Sequence, residues 1–284
     1  MIEQNLIEVL KNYNIDDIKS VEETGQKQYE ILLNSNEKFI LKTFSENEKN
    51  IMDEKVEKMK SLFENNKLAP KFIYGKLSED ENFLMWKEGS PLREKSFEFG
   101  EELGKFLKTY HCEFQNRGDQ WRKNFDHRIV LLLHNYYMSK HEGPKDYIIL
   151  DYLNENKYLI SDRKPSLILG LQDILNINLD DEGRLSNIDL TVEQMADPYF
   201  QFKNLNFLKS SDLDYVNGLI KGYFKDCSTI LFFKTMAVYT IVEYLYDEFE
   251  GHESINHERI NEKIDRILEI YNDFSDIHPN WYRK

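Results

Sequence analysis

The period of the apolar residues changes once along this chain, near residue 90, and that change constrains the fold more than any single motif. Before it, β-branched and aromatic residues come in short runs, "IKSVEETG", "QKQYEILLN" and "KFILKTF", separated by Gly25 and by the turn "NSNE" at 34–37. Behind a short amphipathic helix over residues 1–12, these runs predict a three-strand antiparallel meander ending near Lys42. A charged helix follows over roughly 46–66, with Ile51, Val56, Met59, Leu62 and Phe63 as its apolar stripe. "APKFIYGKL" (69–77) and "NFLMWKEG" (82–89) predict two more strands, punctuated by Pro70 and the turn "SEDEN". From about residue 96 the period is helical, in "FEFGEELGKFLKTYHCEF" (97–114), "NFDHRIVLLLHNYYMSKH" (124–141) and "KDYIILDYLNENKYLI" (145–160). One stretch, "GLQDILNINLDDEGRLSNID" (170–189), interrupts the helices as a loop and hairpin, and helices resume from about 211 to 273. The layout is α+β, with a small antiparallel-sheet lobe over 1–86 and a large, mostly helical lobe over 87–284. The second lobe embeds the hairpin region, about 167–198.

With 284 residues, 40% of them apolar and 18 Phe and 17 Tyr among them, the chain can bury the core of one large domain or of two lobes. Thirty-seven basic against 51 acidic residues leave a formal charge of −14, which argues against a nucleic-acid partner, since phosphate backbones need a basic footprint. The same charge suits a cationic small molecule or simply a soluble surface. The longest apolar run, 228–246, carries Lys234 and Glu243 and reads as a core helix, so no membrane partner is expected. Two cysteines, Cys112 and Cys227, form no C-x-x-C pair and suggest neither zinc nor a disulfide framework. The acidic N-terminal helix pattern is unlike a signal sequence, and a cytoplasmic location is expected.

Some residues stand out for chemistry. Lys42 shares one face of its strand with Ile40, as alternation dictates. Glu54 and Glu57, on the helix that follows, could pair with it. Asp173 and Asp189 bracket Asn176 and Asn178, a set of loop carboxylates and amides of the kind that holds metal ions and phosphate. His111 ends a helix and reads as a packed or hydrogen-bonded side chain. His127, His134 and His141 recur every seven residues on one predicted helix, too far apart for a one-turn metal pair.

In this order and spacing the chain resembles the aminoglycoside phosphotransferase and choline kinase group of kinase-like enzymes. "APKFIYGKL" resembles the strand after the helix, "NFLMWKEGSPL" the hinge, "GEELGKFLKTYH" (100–111) the family's small–Leu–Leu–His helix, and "SNIDLTVEQMADP" (186–198) its metal-binding segment followed by Asp-Pro. The resemblance implies a bilobal protein-kinase-like fold that binds ATP and Mg²⁺ and phosphorylates a hydroxyl of a small molecule. It implies that Lys42 holds the α/β-phosphates and that Glu54 orients it. Met85, Trp86 and Lys87 then give hinge contacts to adenine, Asp189 holds metal, and Asp197 is structural. The phosphate loop has a single glycine, Gly25, and the backbone from Gly25 to Lys27 could approach phosphate.

The family's catalytic loop, His-x-Asp-x-x-x-x-Asn, fits here in two registers. In the first, Asn176 is the metal ligand, and Leu169 and Leu171 stand at the His and Asp positions, which describes a kinase without its base. In the second, Asp173 is the base, Asn178 the metal ligand and Leu171 takes the His position, with a hairpin two residues shorter before Asp189. The second is preferred, because turns tolerate length changes more readily than chemistry tolerates a missing carboxylate. The first leads to a different function, a catalytically silent pseudokinase that serves as a binding or structural module. Aminoglycosides, choline-like amines, sugars and nucleosides all stay open as acceptors, as do ATP against GTP and the oligomeric state.

Overall fold

The computed structural model describes residues 2–64, 66–115, 118–169, 174–186, 188–190, 195–225, 227, 229–249 and 255–283. Helix α1 (Ile2–Lys11) buries Leu6 and Leu10 and leads into the meander β1 (Ile18–Gly25), β2 (Gln28–Leu33) and β3 (Lys38–Ser45). Both turns of the meander use left-handed residues, Lys27 at φ 60° and Asn36 at φ 67°. After a 3-10 turn comes α2 (Lys49–Phe63), then β4 (Phe72–Lys76), β5 (Glu81–Lys87) and a two-residue strand β6 (Ser90–Pro91). The five long strands form one antiparallel sheet in the order β1-β2-β3-β5-β4. Leu6, Leu10 and Ile15 pack with Val21, Ile31, Leu41, Phe83 and Met85 on one face of that sheet. Alternation leaves Ile40, Lys42, Leu84, Trp86, Phe72 and Tyr74 on the other face, in the cross-strand rows Ile40–Trp86–Phe72 and Lys42–Leu84–Tyr74.

Beyond the linker run α3 (Phe97–Glu113), capped by Ser96, whose Oγ accepts from Phe99 N at 3.2 Å, then α4 (Gln120–Ser139) and α5 (Asp146–Asn156). Three short strands follow, β7 (Ser166–Leu167), β8 (Asn178–Leu179) and β9 (Met195–Ala196). Strand β7 pairs with β9, and β8 pairs with β6. A 3-10 segment, Pro198–Phe207, leads to α6 (Leu213–Phe224), α7 (Ile230–Phe249) and α8 (His257–Tyr271). Helix α7 is the spine of this core, buried from Phe232 to Val242 apart from Lys234. Helix α4 stops at Lys140, which is left-handed at φ 55°, so His141 lies past the helix on which the seven-residue spacing placed it.

Helices α3 and α6 touch backbone to backbone through two glycine pairs, Gly100 and Gly104 on one and Gly218 and Gly222 on the other. A Cβ at these positions would lie 2.0, 2.3, 2.0 and 2.0 Å from carbonyl oxygens of the facing helix. Each glycine therefore removes the one atom that would force the axes apart.

The chain divides into two compact units. One comprises Met1–Glu94, Leu169–Gln172 and Asn176–Glu193, the other Lys95–Ile168, Asp173–Leu175 and Gln194–Lys284. Against an expected boundary at residue 86, the sheet unit extends to Glu94 and takes in residues 176–193 of the hairpin region. The linker to Glu94 stays with the sheet because β6 pairs with β8 and Leu92 N donates to Ile177 O at 2.8 Å. The hairpin stays with it because Leu185 N donates to Leu68 O at 3.1 Å and Lys87 pairs with Asp181 at 2.6 Å. Among the described residues no helix is long and apolar enough to cross a membrane.

Candidate functional site

Lys42 and Asp189, 147 residues apart, meet in the sheet unit. The Lys42 Nζ donates to Asp189 Oδ2, and both side chains are largely buried, 22% and 16% exposed. Lys42 is held in the middle of β3, paired with Gln28 on one side and Leu84 on the other. Asp189 is set between two fully buried anchors, Ile188 and Leu190. A second lysine reaches the same segment, as Lys55 of α2, only 8% exposed, donates from Nζ to Leu190 O at 3.4 Å.

Lys55 sits on the inward face of α2. The helix buries Met52, Val56 and Met59 and exposes Ile51, so its inward stripe begins one residue later than the sequence suggested. Lys55 shares that inward face with Met52, Val56 and Met59, while Glu54 and Glu57 are exposed. The carboxylate that Lys42 meets in the structure is Asp189.

The residues expected at the hinge belong to β5. Met85 and Trp86 lie inside β5, paired with Leu41 and Ile40 of β3 and with Ile73 and Phe72 of β4. In a central strand every N–H and C=O goes to one neighbour or the other, so neither backbone is available to an adenine edge. Met85 also points into the α1-facing core, and Lys87 is spent on Glu37 at 2.5 Å and Asp181 at 2.6 Å. Of Leu84 to Lys87, Leu84 and Trp86 face the Lys42 side of the sheet.

The hairpin preceding Asp189 is well defined. Asp180 N donates to Arg184 O at 2.9 Å, and Asp180 Oδ1 accepts from Glu182 N and Arg184 N, both at 2.9 Å. Gly183 supplies the left-handed residue at φ 79°. Gly89 allows the linker to lie against it, since a Cβ there would sit 2.3 Å from Leu179 O. Asn178, half-buried, starts β8, and Asn176, exposed, lies just before it. Asp173 and Leu171, on which the two registers turn, lie outside the described residues. Around them, Leu169 and Ile174 are each buried to 1%, and the Ile174 carbonyl accepts from the Tyr215 hydroxyl at 2.8 Å.

Further from this segment the geometry is structural. Asp197 is completely buried and receives Arg163 through two bonds of 2.7 and 2.8 Å, the Tyr239 hydroxyl at 2.6 Å and Tyr199 N at 3.1 Å. His111 sits between the Tyr223 hydroxyl and Gln201 Oε1, each at 3.0 Å, and burial pushes its imidazole down to about 4, so it is neutral at pH 7. Among the described residues no three His, Cys, Asp or Glu side chains group to hold a metal. A single carboxylate such as that of Asp189 is nonetheless an oxygen donor of the kind Mg²⁺ takes. That ion keeps several waters and takes few protein ligands when phosphates share its coordination. Lys55, Tyr215 and Arg163 were not singled out from the sequence, because each acts through a partner more than 30 residues away.

No protein-family model matches the chain, and no curated protein matches it in sequence. Solved structures do. The ADP-bound aminoglycoside phosphotransferase APH(2'')-Ib superimposes over 93% of this chain and 96% of its own, with a TM-score of 0.50 at 15% identity. An aminoglycoside phosphotransferase from Alicyclobacillus acidocaldarius matches over 92% of this chain and 90% of its own, with a TM-score of 0.54 at 11% identity. The fold is that of the aminoglycoside phosphotransferases, a protein-kinase-like fold spanning nearly the whole chain.

Proposed function

We propose that this kinase-like chain binds ATP with Mg²⁺ at Lys42 and Asp189 and transfers the γ-phosphate to a hydroxyl of a small molecule. The observation that carries this reading is the Lys42–Asp189 pair, a strand cation and a loop carboxylate brought together on one sheet face. Lys42 donates to the α/β-phosphates. Asp189, with Asn178 or Asn176, supplies oxygen donors to Mg²⁺, which when bound neutralises charge on the phosphates. Leu84 and Trp86 offer an apolar surface to adenine on the Lys42 side of the sheet. Asp173 takes the acceptor's hydroxyl proton as the new O–P bond forms and the bond to the leaving nucleoside diphosphate breaks. The net negative charge favours a cationic acceptor.

A second reading, the silent pseudokinase, draws on Leu169. In the first register it takes the place of the loop histidine, and it is buried as a core residue. The two readings part in a simple experiment. Mg-ATP at a hundredfold excess over its Kd should stabilise the full chain by about 2.7 kcal/mol, and Lys42→Ala or Asp189→Ala should each reduce that stabilisation. Asp173→Asn should keep nucleotide binding and cut ATP turnover by roughly 10²–10⁴-fold. Wild-type turnover in Asp173→Asn, with a gain in Leu171→Asp, identifies the first register. Nucleotide binding without any turnover identifies the pseudokinase, and an unchanged unfolding midpoint at millimolar Mg-ATP overturns both readings.

A further inference from the structure

We propose that Lys55 is a positioning residue for Asp189, holding the segment that carries this carboxylate through the carbonyl of Leu190. The inference rests on the reading of Asp189 as the metal-binding carboxylate, and all of its residues belong to the sheet unit. The Lys55 ammonium donates from the inward face of α2 to Leu190 O at 3.4 Å, and Lys55 is only 8% exposed. Met52, three residues before it, and Met59, four residues after, lie on the same helical face and are buried to 5% and 3%. The lysine stem thus leaves the middle of a 15-residue helix between two buried methionines.

What gives this contact a role is how the rest of the segment is held. Ile188 and Leu190, on either side of Asp189, are buried to 1% and 2%. Their side chains fix the flanks of residue 189, and the Lys55 bond fixes the peptide that follows. The tip of the Asp189 side chain is held separately, by the Lys42 ammonium. On the proposed reading Lys42 turns to phosphate when nucleotide binds, so that hold is given up at the moment the carboxylate meets a metal ion. The hold at Leu190 O uses no atom that nucleotide or metal claims, and it stays in force. Methionine at 55 would pack beside Met52 and Met59 without the cost of burying a charge, so the ammonium is the part of the side chain that packing does not explain. Groups that orient a metal-binding side chain from behind are worth roughly 10- to 100-fold in metal affinity.

The test uses the full chain and reads the Kd for Mg-ATP from the rise of the unfolding midpoint with Mg-ATP concentration. Lys55→Met should raise that Kd by roughly 10- to 100-fold. In the ligand-free protein it should also speed hydrogen exchange over residues 188–190. Lys71→Met is the control. Lys71 meets Glu182 of the hairpin at the same 3.4 Å but on the surface, so its loss should leave the Kd unchanged. In an Asp189→Ala background Lys55→Met should add nothing to the loss, because it acts through Asp189. Should Lys55→Met not fold, Lys55→Gln, neutral and shorter, takes its place with the same expectations. A folded variant in which either the Kd or the exchange stays at the wild-type level overturns the inference. So does an undiminished effect in Asp189→Ala, which would make Lys55 a direct phosphate contact. In both cases weakened binding in Lys42→Ala leaves the proposed function standing. A wild-type midpoint that Mg-ATP does not move removes both.

Discussion

Acid should weaken this protein through His111 in a window that the structure defines. Its ring is fully buried in the helical unit, with Nδ1 against the Tyr223 hydroxyl and Nε2 against Gln201 Oε1. The neutral ring satisfies both contacts, donating to the amide oxygen and accepting from the phenol. Burial lowers the folded-state value from an ordinary 6.5 to about 4. Between those values the unfolded chain binds the proton that the folded chain refuses, so stability falls as pH drops. The contribution is complete above pH 6.5 and lost by about pH 4. The interval of about 2.5 pH units corresponds to roughly 3 kcal/mol. Urea unfolding of the wild type and of His111→Gln, measured from pH 7.5 to 4, isolates this term, since every other titrating group is common to the two. The variant should be the less stable at pH 7.5, and the gap should close by roughly 3 kcal/mol at pH 4. A gap that stays constant, or a His111 ring signal that titrates near 6.5 in the NMR spectrum, refutes the reasoning.

Three further outcomes follow from the packing. Gly104→Ala or Gly222→Ala should destabilise the protein by about 1–3 kcal/mol or more, read as a lower unfolding midpoint, because the added Cβ meets a helix backbone that cannot swing aside. Asp197→Ala should cost about 3–5 kcal/mol in urea unfolding, since it strands the buried Arg163 guanidinium. Lys87→Met should raise hydrogen exchange over residues 180–186 while leaving the sheet amides protected, as it removes the ion pair that ties the hairpin to β5.

Much of the sheet unit was legible because its signals are local. The runs ending at Leu33, Ser45 and Lys87 are separated by turns whose chemistry is written in adjacent residues, and the strands fall where those runs lie. The helical unit was legible for the same reason, through period and length. What the sequence concealed was phase and partnership. In α2, charged residues outnumber apolar ones, so the sequence did not show that Met52 rather than Ile51 is buried, or that Lys55 shares the inward face with Val56 and Met59. For Met85 and Trp86 the obstacle was the extent of β5, since only pairing with strands on both sides reveals that their backbone is committed. The hairpin's allegiance to the sheet depends on Lys87–Asp181 and Leu185–Leu68, contacts that no local pattern encodes.

The Lys42–Asp189 pair also imposes a rule of exchange on whatever enters the site. In the structure the ammonium and the carboxylate screen one another. Were Asp189 to take a divalent cation alone, Lys42 would be left with no counter-charge. Were Lys42 to take a triphosphate alone, Asp189 would be left facing an anion. If the site takes metal and nucleotide as proposed, each side chain trades one partner for another of the same sign only when both arrive, so the two affinities should rise together, each raising the other by the same factor. On that reading the Lys42–Asp189 pair is the gate through which metal and nucleotide would have to pass together.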